Sequence, residues 1–322
     1  MRAAALLIAA LALPLRGAEI APIAQKVAPG IPGVGVLVLG EGGDQSWKAQ
    51  LDLIRKTLGK TPVAFAGGDA DAGAIQSAIA ELEASPAKVH KIVAVPLYVS
   101  SFSDTLDEDR YLLGIRETPS RALTGMAHAH FGAPKRAKTK FPVVMTKAFD
   151  DHPIFVGMLA ARALRQTKDP AKDALLLVGV APASTSTTRE WLDGVAALAE
   201  KVRQKGGFAA SRAAALSEGY GADRRDESEK NLRKLVMDLR HQGRVVALSL
   251  EPSEPFDHSK VAAALDGLFV KMDARGLFPD QAIADWVAAS AQDGARLPDM
   301  RNYRDESAFG KGHANFPPLG GY

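Results

Sequence analysis

The chain has 322 residues, 47% of them hydrophobic and 24% charged, which is the composition of a soluble globular protein with room for two ordinary domains. Its 40 basic and 37 acidic residues leave a net charge of +3, so neither a nucleic-acid surface nor a polybasic membrane surface is expected. Cysteine is absent, which excludes disulfides, thiolate metal sites and cysteine nucleophiles. His, Asp and Glu therefore stay as the candidate metal ligands.

The first eighteen residues have the pattern of a secretory signal. Arg2 precedes an apolar run at residues 3–13, which is too short to span a bilayer. Ala10 and Ala12 offer a small-residue cleavage site, and a structured first helix is the alternative interpretation. We expect residues 1–18 to be removed, leaving a periplasmic or secreted protein without stable membrane insertion.

The next part of the chain, residues 30–166, alternates predicted strands with predicted helices. Residues 34–39 form an apolar, Val-rich run closed by glycines, which predicts a buried parallel strand. Further strands are expected at residues 62–67, 91–99 and 141–145, and helices at 47–58, 74–84 and 153–165.

Residues 173–292 repeat this plan after a polar linker. The strand predicted at 244–250 repeats the pattern of residues 91–97, and residues 267–272 repeat 141–145. We therefore predict an α/β fold of two similar lobes, each a four-stranded parallel sheet flanked by helices, produced by internal duplication. Residues 293–322 are predicted to be a tail, either disordered or ordered only on contact.

Polar residues follow the first and third predicted strands. Glu41 comes directly after the first strand, and Ser100, Ser101 and Asp104 follow the third. Open α/β sheets bind their ligands at these carboxyl ends. The glycine turn beside Glu41 has neither a G-x-G-x-x-G pattern nor a P-loop lysine, so no nucleotide cofactor is expected.

Three short motifs carry a resemblance to a known family. Leu-Gly-Glu-Gly-Gly at residues 39–43, Val-Pro-Leu-Tyr-Val-Ser-Ser at 95–101 and Asp-Asp-His-Pro at 150–153 resemble the class II tetrapyrrole chelatases. These are the sirohydrochlorin cobalto- and ferrochelatases of the CbiX and SirB type. The resemblance implies two lobes with a metal and tetrapyrrole cleft between them. It also implies a lyase reaction that inserts divalent cobalt, iron or nickel.

The chain departs from this family at the metal-binding histidines. Glu41 stands where the family has its first His, and the loop with the second His offers Phe102 and Asp104 instead. In the second half, Val180 corresponds to Glu41, and His258 follows the third strand. The usual imidazole pair is therefore missing from the matching positions.

The predicted site consequently depends on carboxylates. Glu41 and Asp104 are the candidate metal ligands and catalytic residues, because carboxylates bind hard and borderline divalent ions. Glu41 as an exposed turn residue is the alternative. His152 and His258 are further candidate ligands, and a helix-capping role is the alternative for His152. The candidate tetrapyrrole-binding residues at the same strand ends are Gly40, Gly42, Ser100 and Ser101.

Two functions stay open on this evidence, with a metal ion or a tetrapyrrole as the partner in both. The first is a chelatase-like protein that inserts or binds a divalent metal in a tetrapyrrole. The second is a non-catalytic exported protein that binds metal or tetrapyrrole in the same cleft. Export favours the second, since biosynthesis of such rings is normally cytoplasmic. A structural protein with an empty cleft is a third hypothesis.

Overall fold

The computed structural model of the chain describes residues 30–68, 70–119, 135–182, 185–217, 221–252, 260–273 and 275–303. The strands of the first sheet are β1 (Val34–Gly40), β2 (Val63–Gly67), β3 (Lys91–Pro96) and β4 (Val143–Met145). Those of the second are β5 (Asp173–Ala181), β6 (Ala210–Ser217), β7 (Arg244–Ser249) and β8 (Lys271–Asp273). The helices are α1 (Gln45–Leu58), α2 (Ala72–Glu83), α3 (Asp104–Leu112), α4 (Pro153–Leu164), α5 (Thr185–Gly206), α6 (Gly221–Arg240), α7 (Lys260–Leu265) and α8 (Gln281–Ala295).

Both sheets are entirely parallel and have the same strand order. The first runs β2-β1-β3-β4 and the second β6-β5-β7-β8. Val34 lies opposite Lys91 in the first sheet, and Asp173 lies opposite Arg244 in the second. Val34 and Asp173 therefore occupy the same place in their sheets. The residues six positions further on, Gly40 and Gly179, are equivalent as well. The predicted α/β fold of two similar four-stranded parallel sheets is therefore confirmed.

Side-chain caps fix where several helices begin. Asp44 accepts a hydrogen bond from the Trp47 N–H at 3.0 Å, and Asp71 accepts from the Ala74 N–H at 3.1 Å. Asp280 accepts from the Ala282 N–H at 2.9 Å at the start of α8. Each cap satisfies a donor that the first helical turn leaves unpaired. No helix among the described residues is both long enough and apolar enough to cross a membrane.

Four helices fill the space between the two sheets. Apolar side chains of α1, α4, α5 and α8 join those of β1, β3, β5 and β7 in one continuous core. Trp47, Trp191 and Trp286 lie in this core with 1%, 4% and 2% of their surface exposed. Smaller cores lie on the outer faces, under α2 and α3 on the first sheet and under α6 and α7 on the second. The two halves thus share their largest buried volume.

The last helix of each half contacts the other half's sheet. Helix α4, which follows β4 of the first sheet, packs against α5 and β7 of the second half. Helix α8, which follows β8, packs against α1, β3 and β4 of the first half. The domain limits of 30–166 and 173–292 follow the order of the chain and stay a prediction.

The segment after α8 continues along the first sheet. The Val143 N–H donates to the Asp299 carboxylate at 3.0 Å, and the Met300 N–H donates to the Val143 carbonyl at 2.9 Å. The N–H groups of Asn302 and Tyr303 both reach the carbonyl of Gly114. The predicted tail therefore contacts β4 and the end of α3 as far as residue 303. Its remainder lies outside the described residues.

One strand of the second half differs from its prediction. The strand expected at 267–272 is observed only at Lys271–Asp273, because Phe269 has a φ of +54° and leaves its ring 86% exposed. Helix α5 begins at Thr185, so the Ser/Thr-rich stretch at residues 185–188 is helical.

Candidate functional site

Glu41 directly follows β1, and its side chain is exposed to solvent. The glycines on either side of it accommodate a tryptophan. A Cβ on Gly40 would lie 2.1 Å from the Trp47 ring, and a Cβ on Gly42 would lie 1.6 Å from it. Packing of the indole explains both glycines. A role for Gly40 and Gly42 in tetrapyrrole binding stays a prediction.

Trp47 joins three parts of the core. Its ring stacks on Phe65 of β2 with centroids 5.3 Å apart. It also meets Phe278, just before α8, edge to face at 4.7 Å. Trp47 therefore packs between α1 and the first sheet. The turn that carries Glu41 rests on a buried, well-packed ring.

The exit loops of β3 and β4 are bound to each other through Ser101 and Asp150. The Ser101 N–H and its hydroxyl each donate to a separate carboxylate oxygen of Asp150, both at 2.7 Å. Asp150 has a φ of +44°, a conformation that non-glycine residues seldom adopt. These two residues are 49 positions apart. Their pairing was missed in the sequence, although β3 and β4 were both predicted there.

Asp104 connects the two halves of the molecule. It is the first residue of α3, and its carboxylate accepts a hydrogen bond from the Thr187 hydroxyl at 3.1 Å. Thr187 lies in α5, which follows β5, so both residues stand at the carboxyl ends of their sheets. Ser100 is buried nearby, and a Cβ on Gly194 of α5 would lie 3.7 Å from its hydroxyl oxygen. The predicted residues Ser100 and Asp104 thus lie at the junction of the halves.

His152 caps the start of α4. Its Nδ1 accepts a hydrogen bond from the Ile154 N–H at 3.2 Å, and its ring stands edge-on to Trp286 at 6.5 Å. Burial lowers the pKa of His152, and the carboxylates of Asp293 and Asp151 only partly oppose this effect. The imidazole is therefore neutral at pH 7. Because Nδ1 accepts this hydrogen bond, the neutral ring carries its proton on Nε2, which is therefore a hydrogen-bond donor while the cap is intact.

The described residues contain no group of three or more His, Cys, Asp or Glu side chains placed to hold a metal ion. His258 lies outside the described residues. The predicted metal set of Glu41, Asp104, His152 and His258 therefore stays a prediction. Two carboxylates, supplemented by water, are sufficient ligands for an oxygen-preferring cation.

The carboxyl edge of the second sheet has a different character. Asp273 ends β8 and is 4% exposed, and Arg162 of α4 is 3% exposed beside it. The Arg162 Nε donates to the Asp273 carboxylate at 3.1 Å, and Arg275 donates to the same carboxylate at 2.7 Å. Burial acts to raise the pKa of Asp273, but the hydrogen bonds from Arg275 and Arg162 outweigh it and hold the pKa well below its usual range. The Asp273 carboxylate therefore forms a structural ion pair with Arg162 and Arg275. The sequence analysis did not identify this ion pair.

Comparison with known proteins places the fold. No protein-family model matches the chain, and no curated protein matches it. Among solved structures, it is similar to the sirohydrochlorin chelatase SirB from Bacillus subtilis subspecies spizizenii in complex with cobalt, with a TM-score of 0.53 and 9% identity over 84% of this chain and 99% of that one. It is also similar to SirB from Bacillus subtilis with Fe3+, with a TM-score of 0.50 and 10% identity over 84% of this chain and 96% of that one. The chain therefore has the α/β fold seen in these chelatase structures.

Proposed function

We propose that this protein binds a divalent metal ion and a tetrapyrrole at the carboxyl edge of the first sheet, where the two halves meet. The proposal rests chiefly on the hydrogen bond between Asp104 and Thr187, which brings the carboxyl ends of both sheets together. Ligands of parallel α/β sheets bind at this edge. The fold shared with a sirohydrochlorin chelatase in complex with cobalt supports this choice of ligands.

Glu41 and Asp104 are the proposed metal ligands. Glu41 presents an exposed carboxylate at the end of β1, and Asp104 presents a half-buried one at the start of α3. Carboxylate oxygens bind hard and borderline divalent ions. His152 and His258 are the further ligands we propose for cobalt, iron or nickel, which accept imidazole well. His152 would bind through Nε2 only after its Nδ1 gives up the cap and takes the proton.

Binding without insertion is the form of this function that we favour. Insertion requires a group that accepts two pyrrole protons, and a neutral imidazole is suited to this near pH 7. Among the histidines of the described residues, His152 lies at the carboxyl edge, and its Nδ1 already accepts the Ile154 N–H. Metal insertion is the second candidate, and the chelatase fold is the observation in its favour.

We also propose that the protein acts outside the cytoplasm, in the periplasm or as a secreted protein. Arg2 followed by the apolar run at residues 3–13 supports this location. Terminal sequencing of the protein recovered from periplasmic or secreted fractions should find the chain cleaved within, or directly after, the first eighteen residues. Recovery of the uncleaved chain from the cytoplasm alone would contradict it.

The test is a spectral titration of the purified protein with sirohydrochlorin, with and without cobalt. Binding predicts a stoichiometric change in the absorption spectrum of the ring that stops when the protein is saturated. Continued conversion of excess ring to its cobalt form would show insertion instead. If titration with either ligand gives no spectral change and no heat, both functions are contradicted. That result would favour the structural hypothesis.

A further inference from the structure

Phe102 leaves an aromatic ring exposed at the carboxyl edge of the first sheet. Its side chain is 46% exposed, although it lies between the buried Ser100 and the N-cap Ser103. Three other exposed apolar side chains among the described residues, those of Met237, Phe269 and Leu297, lie towards the amino ends of the strands. A fourth, Met300, uses its sulfur to accept a hydrogen bond from the Met145 N–H at the end of β4.

The backbone on both sides of Phe102 is held in place. Its own N–H donates to the Ser100 hydroxyl at 3.1 Å. The preceding residue, Ser101, makes its two hydrogen bonds to Asp150, and the following residue, Ser103, accepts from the Leu106 N–H at 3.4 Å. The loop is therefore ordered before any ligand arrives. Binding to a preformed loop avoids the entropy cost of ordering it.

Phe102 also lies between two residues that contact the second half of the molecule. Two residues before it, Ser100 packs against Gly194 of α5, and two residues after it, Asp104 accepts the hydrogen bond from Thr187. A ligand that contacts Asp104 at this junction is within reach of Phe102. A carboxylate suits the metal ion, whereas an aromatic face suits a flat conjugated ring.

We infer that Phe102 is the stacking surface for the planar face of the tetrapyrrole. This inference deepens the proposed function and rests on it. It separates the two ligands on the loop after β3, with the ring on Phe102 and the metal on Asp104.

The test uses Phe102→Ala and Phe102→Trp, with Phe269→Ala as the matched control at an exposed phenylalanine away from this edge. Each variant is titrated with sirohydrochlorin alone and with cobalt alone. We expect Phe102→Ala to weaken sirohydrochlorin binding roughly tenfold, about 1.4 kcal/mol, and to leave cobalt binding unchanged. Phe269→Ala should bind both ligands as the wild type does.

Phe102→Trp gives an independent readout. The three native tryptophans are buried, so an indole at position 102 would be the exposed one, and bound sirohydrochlorin should quench its emission. Wild-type affinity in Phe102→Ala, or no quenching in Phe102→Trp while the ring is bound, would overturn the inference and leave the proposed function standing. A wild-type protein that binds cobalt but not sirohydrochlorin would overturn the inference and the tetrapyrrole part of the function. A wild-type protein that binds neither cobalt nor sirohydrochlorin would overturn the whole proposed function.

Discussion

Helices α4 and α8 each pack against the sheet of the other half, and we call them the exchanged helices. They occupy equivalent places, but a buried ion pair fixes α4 whereas close packing fixes α8. Helix α4 is fixed to the second half by the buried Arg162, which bonds the Asp273 carboxylate and also donates to the Gly276 carbonyl at 2.9 Å. Helix α8 instead lies so close to the first sheet that a Cβ on Gly294 would be 2.6 Å from a methyl carbon of Val93. The repeated βα plan thus determines where the helices lie, and individual residues determine what holds them there.

Breaking the buried ion pair should have the largest effect. Arg162→Met removes one partner of the pair and leaves the carbonyls of Arg275 and Gly276 without this donor. We expect a loss of about 3–5 kcal/mol in the free energy of unfolding, because the buried Asp273 carboxylate keeps only the exposed Arg275 as a partner and two carbonyls lose their donor. Urea unfolding of the two proteins measures the difference.

Arg275→Met is the control for this ion pair, since Arg275 bonds the same carboxylate from a side chain that is 57% exposed. Its loss should stay within about 1 kcal/mol. Equal losses in the Arg162 and Arg275 variants would contradict the view that burial makes the α4 contact strong.

The same glycine-to-alanine change should have opposite effects in the two helices. Gly294→Ala in α8 forces a methyl group against Val93, and we expect a net loss of about 1–2 kcal/mol after the gain in helix propensity. Gly157→Ala in α4 meets only the Lys205 side chain at 3.5 Å, an ordinary contact. This variant should be neutral or up to about 1 kcal/mol more stable. Thermal and urea unfolding measure both changes in stability. Changes of the same sign in the two variants would contradict this prediction.

Acid should weaken the α4 contact and not the packing at Gly294. The pKa of Asp273 is lowered in the folded state, so its contribution is complete above the unfolded pKa near 4 and is lost as the pH falls below it. The stability difference between the wild type and Asp273→Asn should shrink by about 1 kcal/mol between pH 5 and pH 3. A difference that does not change with pH would mean that Asp273 titrates normally.

The sequence was sufficient for the repeated strands and insufficient for the contacts between the halves. A Val-rich run closed by glycines predicted β1, and the repeat of residues 91–97 at 244–250 predicted β7. The strand register matches Val180 with Glu41. An apolar helix face shows that a helix is buried but not which sheet it covers, so the exchange of α4 and α8 could not be derived.

The candidate site was predictable only in part for a related reason. Placement of Glu41 and Asp104 at strand ends follows from the strand pattern. The partners of the site residues do not, because Thr187 is 83 positions from Asp104 and Asp150 is 49 from Ser101. Hydroxyl and carboxylate side chains of this kind leave no periodic signal in the sequence. The contact of Trp47 with Gly40 and Gly42 could have been predicted. Trp47 lies in the first turn of α1, seven residues after Gly40, so its ring can reach back to the end of β1.

The central claim is that the carboxyl edge of the first sheet, and not that of the second, binds the metal. Isothermal titration with cobalt of the wild type, Glu41→Ala and the equivalent Val180→Ala tests it most directly, with Glu41→His as a fourth protein. We predict that Glu41→Ala weakens cobalt binding at least roughly tenfold, about 1.4 kcal/mol, with little change in stability, and that Val180→Ala binds as the wild type does. Glu41→His should favour cobalt or nickel over magnesium, because imidazole suits those ions. Equal cobalt affinities in all four proteins would contradict the account and leave Glu41 as a turn residue.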